Sequence, residues 1–74
     1  MIATPSRKDA REILALNIKS LRAERGWSQE DLALEAELHR TFVAHVEMGR
    51  RNISLDNIQK IAGALGVSVG ELLS

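Results

Sequence analysis

Residues 28–52, SQEDLALEAELHRTFVAHVEMGRRN, decide the fold. Ser28 is a good helix N-cap, and Asp31 three residues later makes a near capping box, so a helix opens at Gln29 and runs to about Glu37. Leu32, Ala33 and Ala36 recur at helical spacing within it. Leu38 and His39 interrupt the pattern without a glycine or a proline. A second helix is expected from Arg40 to about Met48, with Gly49 as its C-terminal stop. Two short helices joined by so brief a break read as a helix-turn-helix, an arrangement that places its second helix in the DNA major groove.

The flanks are expected to hold this pair in place. A long helix should begin near Pro5 or Ser6, where proline suits the first turn, and end near Arg25 before Gly26. Residues 1–5 should be frayed. Leu14, Ile18 and Leu21, spaced by four and three, form its buried stripe, and Trp27 is expected to cover its end. After the basic loop Gly49–Asn52, Ile53 should return to the core. Ser54 should cap a helix over Leu55–Leu65 with Leu55, Ile58, Ile61, Ala62 and Leu65 as its apolar face, and Gly66 should stop it. Ser68 and Glu71 form a capping box for a last short helix ending in Leu72 and Leu73. The fold class expected is all-α, a compact five-helix domain spanning residues 1–74.

Composition agrees with that class. The chain has 74 residues, 45% of them hydrophobic, with only Trp27 and Phe42 as aromatics, so one aliphatic core is implied. There is no cysteine, which excludes a disulfide or a thiolate metal site. No apolar run approaches the ~20 residues of a membrane span, and no apolar signal core follows the N-terminal charges, so a cytoplasmic location is expected. Formal net charge is zero. Its distribution is uneven: Glu30, Asp31, Glu35 and Glu37 crowd residues 28–37 with no basic residue. Arg40, Arg50 and Arg51 stand against Glu47 alone in residues 38–52, and the first 27 residues are net basic. A local basic face can bind phosphate in a neutral chain, although an ordinary mixed surface has the same composition.

At ~100° per residue, Arg40, Thr41, Ala44 and His45 fall on one side of the second helix, and Phe42, Val43 and Val46 on the other. The first set is the candidate base-reading surface. Arginine can donate two bonds to guanine, threonine offers a hydroxyl and a methyl, and Ala44 permits close approach. A plain solvated face is the bland alternative. Gln29, in the first turn of its helix, is a candidate phosphate donor. Arg50, Arg51 and Asn52 are placed to grip the flanking backbone, and Ser28, His39 and Phe42 complete the expected phosphate-contacting set. Arg22 and Glu47 are opposite charges on segments that should pack together, so they are read as a structural ion pair. Val67, Val69, Leu72 and Leu73 are expected to form a dimer interface within residues 66–74. Met48 is read as a helix-end packing residue.

Little points to other chemistry. His39 and His45 are six residues apart, so one helix face cannot present both to a metal. No nucleophile–base arrangement or carboxylate dyad stands out, and GALGVSVG lacks the G-x-G-x-x-G spacing. No enzyme activity, metal or cofactor is expected.

Four stretches carry a family likeness: I-x-x-L-R at residues 18–22, GWSQEDLA at 26–33, RTFVAHVEMGRRN at 40–52, and I-x-x-I-A-x-A-L-G-V-S at 58–68. On these the chain resembles the Cro/repressor-type helix-turn-helix family from about Leu14 to Leu73. Within it the chain looks most like controller proteins of restriction–modification systems, which regulate their own operon and the endonuclease gene. The resemblance implies a five-helix domain and operator binding as a homodimer. It also implies Gln29 at phosphate, Arg40, Thr41 and His45 at bases, and Arg22 paired with Glu47. Three residues depart from the pattern. His39 stands where a capping Asp or Ser is usual, Ile53 replaces a commoner proline, and His45 is bulky where a small residue is frequent. The expected partners are double-stranded operator DNA, a second copy of the chain, and RNA polymerase. A phage-type repressor or an antitoxin of the same fold is the alternative within the class. A helical protein-interaction module without DNA binding is the alternative outside it.

Overall fold

In the computed structural model, which describes residues 9–49 and 52–74, five helices follow one another. They are α1 (Ala10–Arg25), α2 (Gln29–Ala36), α3 (Arg40–Glu47), α4 (Leu55–Leu65) and α5 (Val69–Leu72). Side chains set most of the starts. The Asp31 N–H donates to Ser28 Oγ, and the Ser28 N–H donates to Asp31 Oδ2, which completes the capping box of α2. Ser68 and Glu71 do the same for α5, and Ser54 accepts from the Asn57 N–H to cap α4. α3 is the exception: its N-cap, His39, makes no side-chain capping bond.

The start of α1 corrects the expectation. The helix begins at Ala10, because Asp9 has extended backbone and its carboxylate accepts from the Arg11 and Glu12 N–H groups. Glu12 accepts in return from the Asp9 N–H, which makes a third capping box, here D-x-x-E. The Glu12 N–H bond, foremost, holds the Asp9 carboxyl below its ordinary pKa of 3.8. Pro5, Ser6 and the frayed stretch expected at residues 1–5 lie outside the described residues.

The turn between α2 and α3 uses no glycine. Glu37 adopts the left-handed conformation itself (φ 59°, ψ 45°), and the Leu38 N–H reaches back to the Ala33 carbonyl at 2.8 Å. Leu38 packs against the core and anchors the turn.

The core is aliphatic and draws on every helix: Leu14 and Ile18 of α1, Leu32, Ala33 and Ala36 of α2, Val43 and Val46 of α3, four residues of α4, and Leu72 of α5. Burying each large member contributes about 1.5–3 kcal/mol. Leu21, Trp27, Phe42 and Ile53 pack on its edges. The Arg25 guanidinium lies 5.2 Å from the Trp27 ring centre and also donates to the Leu65 carbonyl, joining the ends of α1 and α4.

Leu72 corrects a second expectation. It has no exposed area, so it belongs to the monomer core and not to a surface that meets another chain. α5 is a single turn with one inward position, and Leu72 fills it. Asn17 Nδ2 donates to the Leu72 carbonyl at 2.8 Å and ties α5 to α1. Val67, Val69 and Leu73 are half-buried at the core edge. Leu55, expected on the inner face of α4, is instead 64% exposed, at the first residue of the helix.

Candidate nucleic-acid interface

One carboxylate fixes α3 in the fold. Glu47 is the buried charged residue among those described, 4% exposed, and it accepts three hydrogen bonds. Arg22 Nε donates to Oε2 at 2.7 Å, Arg22 Nη2 to Oε1 at 2.9 Å, and Gln29 Nε2 to Oε1 at 3.0 Å. Arg22 Nη1 donates to the Trp27 carbonyl at 2.8 Å. The network therefore joins the end of α1, the loop after it, the start of α2 and the end of α3. The hydrogen bonds to Glu47 raise the Arg22 pKa above its ordinary value against the opposing cost of burial, so the guanidinium stays charged.

With its inner side held by Val43, Val46 and Glu47, α3 turns the opposite side outward. Arg40 and Thr41 are exposed, whereas Ala44 and His45 are half-buried, a correction to the fully outward face expected for them. Arg40 makes no ion pair among the described residues, and the Glu47 carboxylate at the other end of α3 is already bound to Arg22. Arg40 borders an open groove with Arg22, Ser28, Gln29 and Glu30. Its guanidinium is thus available to an outside acceptor.

Met48 was expected to pack, yet it is 55% exposed. It follows Glu47 and falls ~80° from Arg40 around the helix, between Ala44 and Thr41 on the outward side. The chain then turns at Gly49 (φ +70°). A second open groove, continuous with this face, is lined by Lys19, Gln29, Ala44, Glu47 and Met48. Nothing in the sequence marks Lys19. It is 25 residues from Ala44, and no local pattern links them.

The remaining candidates divide. Gln29 is half-buried at the border of the two grooves; Glu47 takes one of its amide hydrogens and one remains. Ser28 gives both its backbone N–H and its acceptor role to the capping box, which leaves its hydroxyl proton. His39 is exposed. Phe42 packs its ring against the core, so its side chain cannot serve a phosphate. The Asn52 side-chain oxygen faces Arg11 Nη1 at 3.5 Å. Arg50 and Arg51 lie outside the described residues. Among the described residues no cluster of metal-ligating side chains occurs, and no helix is long and apolar enough to cross a membrane.

The Helix-turn-helix family matches residues 18–72, which cover α2 and α3 and most of their supporting helices. The chain belongs to that family. It is 49% identical over 69 residues to a hypothetical transcription factor of Neisseria meningitidis, covering 93% of this chain and 65% of that protein. The crystal structure of the Neisseria factor superposes with a TM-score of 0.88, over all of this chain and 85% of that one. Control protein C.BamHI of Bacillus amyloliquefaciens is 59% identical over 46 residues, 62% of this chain and 57% of that protein. The chain thus spans somewhat less than two thirds of the length of both relatives. The restriction–modification controller protein C.Esp1396I, solved as a tetramer with its natural 35 base-pair operator, superposes with a TM-score of 0.80 at 31% identity. The match covers 90% of this chain and 92% of that one.

Proposed function

We propose that this protein is a sequence-specific DNA-binding transcriptional regulator, acting as a homodimer on a palindromic operator in the role of a restriction–modification controller. The observation that carries this reading is the state of Arg40. It is an exposed arginine in the first turn of α3, without an ion-pair partner among the described residues, on a helix fixed from behind by the Arg22–Glu47–Gln29 network. A guanidinium held out from the first turn of a packed helix suits two bonds to guanine. Thr41, Ala44 and His45 flank it as further base-reading residues, and Gln29, Ser28, His39, Asn52, Arg50 and Arg51 are the residues we assign to the phosphate backbone. The likeness to C.BamHI and C.Esp1396I favours the controller role over a phage repressor or antitoxin. The protein would work in the cytoplasm, with RNA polymerase as the partner through which bound operator alters transcription, and it would catalyse no reaction.

Selection of duplexes from a random-sequence pool by the purified protein tests this. A two-fold symmetric consensus is expected. Arg40→Ala should lower affinity by about 1–3 kcal/mol and relax preference at one base pair in each half-site. No enrichment, or binding that does not weaken with salt, would overturn the reading.

A further inference from the structure

We propose that Lys19 of α1 is a phosphate anchor for the bound duplex, so that one strand is held from α1 as well as from the start of α2. This rests on the DNA-binding reading above and adds a contact from a helix outside the helix-turn-helix. Three observations carry it. Lys19 is exposed and makes no ion pair or hydrogen bond among the described residues. It lines one groove with Ala44 and Met48, which lie on the outward face of α3, and with Gln29. The groove's one acid, Glu47, is buried and already bound to Arg22 and Gln29, so it does not repel an approaching anion. The remaining hydrogen of the Gln29 amide and the Lys19 ammonium therefore border the same space from two helices. Gln29 also borders the Arg40 groove, so the path past α2 is bounded by a cation at each end. A flexible four-carbon stem lets an ammonium at this edge follow a phosphate without strain in the fold.

The test compares the unmodified protein, Lys19→Ala and Lys19→Arg on the duplex recovered by selection and on a mixed-sequence duplex, from 50 to 200 mM salt. Loss of one phosphate contact reduces the salt slope by about 0.9, so Lys19→Ala should lose about threefold less affinity than the unmodified protein across that range. Its affinity should fall by a similar factor on both duplexes, and Lys19→Arg should keep the parent slope. Lys60→Ala, an exposed lysine of α4 beside Glu35 and Glu37, should leave the slope unchanged. An unaltered slope for Lys19→Ala overturns the proposal while the DNA-binding reading stands. A parent protein that binds neither duplex overturns both.

Discussion

Arg22 and Glu47 share two hydrogen bonds, but they do not share an environment. The Glu47 side chain is 3% exposed and that of Arg22 is 20% exposed. Removing the arginine strands a charge that water cannot reach, and only Gln29 still donates to it. Removing the glutamate leaves a guanidinium that keeps its bond to the Trp27 carbonyl and can turn toward solvent. Arg22→Ala should therefore cost about 3–5 kcal/mol of stability in urea unfolding, the range for breaking a buried pair from one side, and Glu47→Ala distinctly less. The double substitution should cost less than the sum of the two. Equal, small and additive losses would show that the pair does not fix α3. At this scale the pairing itself was legible, since two opposite charges sat on segments bound to pack. The Gln29 bond was not, because a neutral amide carries no charge to mark it as a partner of Glu47 and reads equally well as a phosphate donor.

Helix ends were the most legible elements, and the misreadings share a cause. Ser28, Ser54 and Ser68, with Gly26 and Gly66, mark boundaries by chemistry that acts within four residues, so sequence shows them directly. Asp9–Glu12 uses the same chemistry, but Pro5 offered an earlier start and drew the boundary forward. Acid should expose the role of this cap. The Asp9 carboxyl is held below its ordinary pKa, so the stability it adds is complete above about pH 3.8 and is lost as pH falls through the lowered value in the folded state. Asp9→Asn should remove that dependence from the acid limb of thermal unfolding measured by circular dichroism. The α2–α3 turn was legible only as a gap, because Glu37 occupies a conformation that sequence normally announces with glycine. A non-glycine residue there costs on the order of 1–3 kcal/mol. The Glu37 side chain is exposed, so Glu37→Gly should raise stability by about 0.5–1 kcal/mol after the added freedom of the unfolded chain is counted. A lower melting temperature for that variant would mean the carboxylate has a role the backbone does not show. α5 was read with too many outward residues, since periodicity over four positions cannot tell an inner face from an outer one.

For the whole molecule, the burial of Leu72 changes which surface can join two copies. A symmetric dimer that spans one DNA turn needs its two α3 helices ~34 Å apart, and the apolar area for it must come from residues the monomer leaves uncovered. Leu72 is consumed by the core, Val67, Val69 and Leu73 are half covered, and Leu55 is 64% exposed at the start of α4. These residues make opposite predictions for the same substitution. Leu72→Asp buries a charge in an aliphatic core, so the protein should lose its cooperative unfolding transition and with it every other property. Leu55→Asp places an acid in the first turn of α4 beside Asp56, where the helix dipole favours negative charge, so the fold should be retained. If Leu55 lies at the dimer surface, the charge there should dissociate the dimer in sedimentation velocity. Affinity for a full palindromic duplex should then fall toward that for a single half-site, while the circular dichroism melt stays near the parent's. A Leu55→Asp protein that remains dimeric would move the interface off the start of α4, with Val67, Val69 and Leu73 as the next residues to test. A folded Leu72→Asp protein that sediments as a monomer would restore the C-terminal turn as the contact surface and put its burial in the free chain in question.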